Sequence, residues 1–543
     1  MLALPAKDDS WPSALILFIA AVYFVLTAGR WIASPGLQYD ELLFVNVATG
    51  EPTNGLFVAK RILGVPVMLM GYIGALKAYL YYPIFELFGV SPATIRWPVI
   101  VLSVVTLGVT YAVARFSFER SVSALLVLVM SVDPAFVYLT KLDFGPVALM
   151  MVLKLSALLF ALRTVSTGSP RYLWGMCAAC ALGMFDKLNF IWFLLALVVA
   201  GGILFRPELG AAWRRDRLGF LLPLSLLAMI TGVATVALVI PQLAASQAAT
   251  SWVTPLDRLL YVLGLYARTM NGKELYLLVT KVPLTAGSLT NATVCLGLLG
   301  LGVASIRAAR KAGGLARLPL QRRILVCHLL IFLFIGVQLL ITRKAWGPHH
   351  IMMLYPFQLF VVFGAAVSLA GTVGATAAAA VLVASGLNVG AVYERGFRPT
   401  AEFEPQWSPI VYDLVDYVNA SRVDGIVSVD WGIHNQVWAL GTSRTRAICR
   451  DRWPQFRALG DRRVQELMHR RDFDDRRVLA ILHGPGWDIM PSVRKNFMEW
   501  AQGFGMAPVL DSVFTSPAGT VIFEVYSVDG SRSASGKVDH RRP

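Results

Sequence analysis

The sequence predicts a polytopic α-helical membrane protein of about eleven spans, followed by a soluble C-terminal α/β domain. Three observations predict it. Of the 543 residues, 56% are hydrophobic and only 15% charged, against about 45–50% and about 25% in an ordinary soluble domain. Apolar runs long enough to cross a ~30 Å hydrocarbon layer recur from Ser13 to Val392. Beyond them, strand-like stretches alternate with helix-like ones, the pattern of a small α/β layer.

In chain order the expected spans are about 12–33, 97–114, 121–140, 144–163, 171–185, 189–205, 218–240, 283–304, 324–342, 350–370 and 373–392. The first, "PSALILFIAAVYFVLTAG", is too long for a cleaved leader and lacks a small-residue cleavage pattern, so it reads as a retained signal anchor. The short connections near 115–120, 163–171, 206–217 and 307–323 are rich in Arg and Lys, with only Glu119, Glu208 and Asp216 as acids. That bias puts them and the N-terminus in the cytoplasm. An odd number of spans then puts everything after about Tyr393 on the periplasmic or extracellular side of the cytoplasmic (inner) membrane.

Two long outside loops interrupt the membrane domain, which covers 1–396. The loop at about 34–96 contains "VPVMLMGYIGALKAYLYYPIFELFGVSPATIRWP", which reads as interfacial helices lying along the membrane, with an extra crossing pair as the alternative. The loop at about 241–282 contains the amphipathic "PLDRLLYVLGLYARTM", where Tyr261, Arg268 and Lys273 can face a headgroup. The α/β domain covers 397–528: "SPIVYDLVDYVNAS" is helical, "DGIVSVD" a strand, "PQFRALGDRRVQELMHRR" a helix, "RRVLAILH" a strand and "PSVRKNFMEWAQGF" a helix. "VLDSVFTSPAGTVIFEVYSV" then closes it as a hairpin. Residues 529–543 are polar and read as disordered.

The net charge of +16 is not a nucleic-acid signal. From residue 400 onward, 18 basic residues balance 18 acidic ones, so the whole excess (31 basic less 15 acidic) lies in the membrane half. There it orients the chain. Five cysteines are too few for a disulfide framework, and Cys177 and Cys180 sit inside a span where small apolar residues suffice.

Four turns at the outer ends of spans carry chemistry. Asp40 and Glu41 follow the first span in "SPGLQYDELLFVNVA". Lys141 and Asp143 lie in "LTKLDFGPVALM", and Asp186 and Lys187 in "MFDKLNFIW". Arg343, Lys344, His349 and His350 lie in "ITRKAWGPHHIMMLYP". Cations suit an anionic headgroup, and a carboxylate suits removal of a hydroxyl proton. Each also has a structural reading. Asp143, with Pro146 close behind, can be a helix cap, and Lys187, Arg343 and Lys344 can be interfacial anchors. His349 and His350 are adjacent, so on a helix they point about 100° apart and do not form a paired metal site. The same geometry separates Asp40 from Glu41, one to enter a site and the other to hold the loop. Asp133 and Lys154 lie deeper, where a buried ion pair is expected.

Taken together these motifs resemble the GT-C superfamily of membrane glycosyltransferases, specifically family 39, the protein O-mannosyltransferases and aminoarabinose transferases. The resemblance rests on the Asp40–Glu41 pair, on "FGVSPATIRWP", on the Asp143 turn after "DPAF" and on "HHIMMLYPF", and it covers roughly residues 10–370. It implies a polyprenyl-phosphate-linked sugar as donor, and transfer at the outer membrane face with inversion. The acceptor hydroxyl would belong to a protein, lipid or glycan. Carried over, Asp40 would be the general base and Asp143, with Glu41, a further acidic site residue. Lys187, Arg343, Lys344, His349 and His350 would bind the donor phosphate. Tyr39, Tyr261 and Arg268 would face the acceptor or headgroup. The resemblance fixes no cofactor and leaves a divalent cation open. The family's His-Pro-Pro segment is absent, and two histidines stand where Arg-Tyr is usual. A transporter of a lipid-linked sugar and a non-catalytic envelope assembly protein are the rival readings. Transporters favour repeats and broken mid-membrane helices, whereas the charges here gather at one face.

Overall fold

The computed structural model describes residues 10–50, 58, 60–241, 254–342 and 347–530. Its first half is a helical bundle. Helix α1 (Ser10–Gly29) leads through a loop to α2 (Tyr39–Ala48), and a three-stranded antiparallel sheet follows: β1 (Lys60–Ile62), β2 (Val65–Met70) and β3 (Ile73–Gly74). Helix α3 (Leu76–Phe88) leads into α4 (Pro92–Ala114), which starts where Ser91 and Thr94 form a capping box and Pro92 supplies a preset φ. Next come α5 (Arg120–Val132), α6 (Pro134–Leu142), α7 (Ala148–Thr167), α8 (Arg171–Asp186), α9 (Ile191–Leu204), α10 (Arg206–Arg215) and α11 (Arg217–Ala234). Beyond the second long loop lie α12 (Pro255–Met270), α13 (Lys273–Thr280), α14 (Thr290–Ala312), α15 (Leu320–Ile341), the single turn α16 (Pro348–Ile351) and α17 (Phe357–Gly396).

Seven of these helices are long and apolar enough to cross a membrane, and up to nine if two bent pairs count as spans. Eleven were expected, and the difference has physical causes. Helix α8 lies on an expected span but has only 16 residues. The 40-residue α17 is two arms: its backbone leaves helical geometry at Ala370 and Gly371. Val362 and Ala365 pack beside Gly297 and Gly300, whereas Ser385 accepts from the Leu289 N–H at 3.0 Å. The chain therefore descends α14 and returns. The expected 121–140 span is the pair α5–α6, bent by 58°. Asp133 caps α6 with Pro134 in its first turn, which ends α5. Helix α11 buries only Pro223 and Leu227 and leaves Leu222, Met229 and Val233 exposed, the outline of a lipid-facing helix.

The loop at 34–96 departs from the expected interfacial helices. Among its described residues α2, α3 and the first turn of α4 are helical, and "VPVMLM" is strand β2. The hairpin docks on the turn after α8: Ile73 bridges Lys187, and the Leu188 N–H bonds the Tyr72 carbonyl at 2.9 Å.

The C-terminal unit is an α/β sheet of β4 (Gly425–Ser428), β5 (Cys449–Asp451), β6 (Arg477–His483), β7 (Val509–Thr515) and β8 (Val521–Asp529), in the order β5-β4-β6-β8-β7. The first three are parallel, β8 is antiparallel to β6, and β7 is antiparallel to β8. Helices α18 (Ile410–Ala420) and α19 (Ile433–Leu440) pack on one face with Ile426, Leu479 and Phe523. Helices α20 (Arg462–Asp472) and α21 (Val493–Gly503) cover the other with Phe497 and Trp500. Of the tail expected to be disordered, Asp529 closes β8, and residues from 531 lie outside the described residues.

Candidate active site

Asp40 and Glu41 open α2, and a helix turns them to different sides. Glu41 is buried and forms two hydrogen bonds with Arg96, at 2.7 and 2.9 Å. Arg96 also donates to the carbonyls of Ile32 and Pro35, both at 2.8 Å, and of Gly36 at 3.3 Å. This arginine ties the loop after α1 to α2, so Glu41 is committed to holding the loop. Asp40 is partly exposed. Its N–H bonds the Gln38 side chain at 2.7 Å, the cap that starts the helix. Burial pushes the Asp40 carboxyl up to about 6, against the pull of the Gln38 hydrogen bond and the Lys187 charge.

Asp143 sits at the C-terminus of α6 in the left-handed region, φ 47°. Its carboxylate accepts from the Val147 and Ala148 N–H groups at 2.7 and 2.8 Å, which caps α7, and pairs with Lys77 of α3. Both partners are buried, and the Lys77 ammonium lies 4.5 Å from the Phe44 ring centroid of α2. Asp143 is therefore a cap and a member of the charged cluster at once. Lys187, fully buried in the turn after α8, donates to the Gly145 carbonyl at 2.8 Å. Its charged neighbours are Asp186, Asp143 and Asp40; burial nevertheless pushes its ammonium down to about 7. Three inter-helix turns thus bring Asp40, Asp143 and Lys187 together.

His349 and His350 belong to α16 and touch with tilted rings, centroids 4.1 Å apart. The His349 ring lies against Gly145 and Phe144, and His350 faces Tyr72 at 5.6 Å. Burial, the neighbouring imidazole and Lys187 hold His349 well below the ordinary imidazole value, so it is neutral. Among the described residues no group of three or more His, Cys, Asp or Glu converges as a metal site. Arg343 and Lys344 lie outside the described residues. Tyr39 bonds Gln406 at 2.5 Å. Tyr261 lies under Arg258 at 5.7 Å, while Arg268 pairs with Glu274 at 2.6 Å on an exposed side.

Four side chains serve roles other than those expected or escaped the sequence reading. Asp133 and Lys154 do not pair. Asp133 caps α6, accepting from the Ala135 N–H at 2.9 Å. Lys154 donates to the carbonyls of Met352, Met353 and Tyr355 at 3.1, 3.0 and 2.5 Å, fixing the turn behind the histidines. Lys77, in the sequence only a charge on an expected interfacial helix, is the partner of Asp143. Arg258 donates to the Leu339 carbonyl at 2.9 Å and to that of Thr342, so it crowns the negative end of α15. Its signal was an arginine within an otherwise apolar helix face.

Beside the cluster runs an almost purely apolar groove of about 660 Å³, between α3 and α4. Leu80, Tyr81, Ile84, Ala93, Trp97 and Leu149 line it, and Lys77 stands among them. A single cation at the edge of an apolar channel suits an amphiphile with an anionic head.

Comparison with known proteins gives a concordant picture. The family described as dolichyl-phosphate-mannose-protein mannosyltransferase matches residues 75–254, about a third of the chain, which includes Lys77, Asp143 and Lys187 but not Asp40. No curated protein matches. Among solved structures the chain is similar to ArnT from Cupriavidus metallidurans in the apo state, with a TM-score of 0.54 and 12% identity over 96% of this chain and 98% of that one. It is similarly close to ArnT bound to undecaprenyl phosphate, with a TM-score of 0.52 and 13% identity over 95% and 98%. At such identities the likeness is one of fold.

Proposed function

The chain has the fold of the GT-C membrane glycosyltransferases, and from that premise we propose that it moves a sugar from a polyprenyl-phosphate donor to an acceptor hydroxyl at the outer membrane face. The observation that carries this reading is the meeting of Asp40, Asp143 and Lys187, from three separate turns, beside an apolar groove. The groove between α3 and α4 takes the prenyl chain. The phosphate sits near Lys187 and Lys77.

In the step itself, the acceptor oxygen attacks the anomeric carbon as its proton passes to the Asp40 carboxylate. The carbon–oxygen bond to phosphate breaks, and the electron pair leaves with polyprenyl phosphate. Attack opposite the leaving group inverts the anomeric centre. Asp40 is suited to this work because its raised affinity for a proton makes it a stronger base that is still mostly ionised at neutral pH. Asp143 and Glu41 act through Lys77 and Arg96 and keep the turns in register. The Arg-rich connections at the opposite ends of the helices support the outward orientation of the site. The acceptor is a hydroxyl on a protein, lipid or glycan.

The test is sugar transfer by purified protein from radiolabelled mannosyl or pentosyl polyprenyl phosphate, with membrane extract supplying acceptors. Asp40→Asn should lower the rate by about 10²–10⁴-fold. Normal turnover in that variant would exclude Asp40 as the base.

A further inference from the structure

The C-terminal unit does more than follow the bundle: the ends of its parallel strands meet the loop that carries Asp40. Immediately after β4, Asp430 accepts hydrogen bonds from His483 at the end of β6 (2.7 Å), from the N–H groups of Ile489 (2.7 Å) and Met490 (3.0 Å), and from the Trp431 N–H (2.7 Å). These four bonds leave the turn Asp430–Trp431–Gly432 little freedom. The partly exposed Trp431 meets the Tyr39 ring at 4.1 Å, close to edge-on. Gly432 has φ 91°, and a Cβ there would stand 2.4 Å from the Tyr39 ring. Only glycine allows so close an approach.

Further bonds clamp the same loop. Gln436 donates to the Leu37 carbonyl at 2.7 Å, and Tyr412 to that of Ala33 at 2.9 Å. Asn46 of α2 donates to the Asn435 carbonyl at 3.3 Å. Tyr39 is thus held between Gln406 and Trp431, and the next residue in the chain is Asp40.

We propose that the Asp430–Trp431–Gly432 turn is a positioning element for Asp40, docking the Tyr39 side of α2 so that the carboxylate stands where an acceptor hydroxyl and the donor meet. This rests on the reading of Asp40 as the base. The turn touches neither the groove nor Lys187, so it governs the transfer step and not the grip on the lipid phosphate. The groups facing Asp40 are Lys187 from the turn after α8, Tyr72 from the hairpin, and Gln38 and Tyr39 from its own segment; Asp430 and Glu404 face Tyr39. Burial raises the Asp40 carboxyl, so an α2 released from the turn should let it return toward the ordinary carboxylate range.

The experiment uses the full chain with Trp431→Ala, Trp431→Phe and Gly432→Ala. Affinity for undecaprenyl phosphate, the rate of transfer from radiolabelled mannosyl or pentosyl polyprenyl phosphate, and the acid limb of the pH–rate profile are read for each. The expected result for Trp431→Ala and Gly432→Ala is a tenfold or greater fall in rate, with undecaprenyl phosphate affinity within twofold of wild type. The acid limb should move below its wild-type position near 6, and Trp431→Phe, which keeps a ring edge against Tyr39, should restore most of the rate. A Trp431→Ala protein with unchanged rate and acid limb overturns the proposal, as does a parallel loss of lipid affinity and rate. Absence of transfer by the wild type with every donor refutes the glycosyltransferase reading itself, and the inference with it.

Discussion

Arg96 offers the sharpest energetic test of how the Asp40 loop is held. Its guanidinium is fully buried and spends its donors on two bonds to Glu41 and three to the carbonyls of Ile32, Pro35 and Gly36. Arg96→Met removes one partner of a buried ion pair, which costs about 3–5 kcal/mol, mostly from the carboxylate left alone. Three carbonyls lose their donor as well, at roughly 1 kcal/mol each where water does not reach them. Against a typical folding free energy of about 5–15 kcal/mol, a loss of that size undocks the loop. Glu41→Leu should be costly for the mirror reason. The double variant Arg96→Met/Glu41→Leu leaves no unpaired charge, so it should be more stable than the sum of the single losses by at least about 2 kcal/mol. Thermal unfolding of the four proteins in one detergent measures this. If the single losses add to within about 0.5 kcal/mol of the double, the pair is not coupled and the account of the loop is wrong.

Other outcomes follow from the same geometry. Folded Asp40 binds its proton more tightly than an unfolded carboxyl at 3.8, so its stability contribution is complete below pH 4 and is lost as pH rises through about 6. Asp40→Asn should therefore melt at a higher temperature than wild type at pH 8 while losing activity; a lower melting temperature contradicts the sign. Transfer by the wild type should fall as pH drops below about 6, which a pH–rate profile shows directly. Asp143→Ala strips a charge from Lys77 and two caps from α7, and should destabilise by about 3–5 kcal/mol; a loss below about 1 kcal/mol would mean that Lys77 has another partner. Ala93→Trp fills the groove between α3 and α4 and should weaken binding of long-chain polyprenyl phosphates far more than that of a ten-carbon analogue. Equal weakening would place the prenyl chain elsewhere.

Much of the membrane half could be read from the chain because lipid imposes one repeated demand, a helix of apolar residues about twenty long. The four turns with their carboxylates and lysines were visible for a related reason: charge is confined to where the chain leaves hydrocarbon. Pairings were not visible. Glu41 and Arg96 are 55 positions apart, and Lys77 and Asp143 are 66; no local pattern says which carboxylate meets which cation. Asp133 and Lys154 looked like partners because both lay deep in neighbouring spans. In the fold Asp133 instead caps α6 ahead of Pro134. The β1–β3 sheet escaped notice because "VPVMLMGYIG" has no clean alternation, and its register is set by the turn around Lys187. The contact of Trp431 with Tyr39, nearly 400 positions apart in the chain, exists only once both halves are folded.

In the proposed function a lipid phosphate is received beside Asp40, Asp143 and Lys187, next to the groove between α3 and α4. A cryo-EM map of the purified protein with undecaprenyl phosphate tests it most directly. The account predicts phosphate density within hydrogen-bond reach of the Lys187 Nζ, on the side facing Asp40, with the prenyl chain entering the groove between α3 and α4. Phosphate density at another inter-helix turn, with Lys187 still on the Gly145 carbonyl and the groove unfilled, would contradict it.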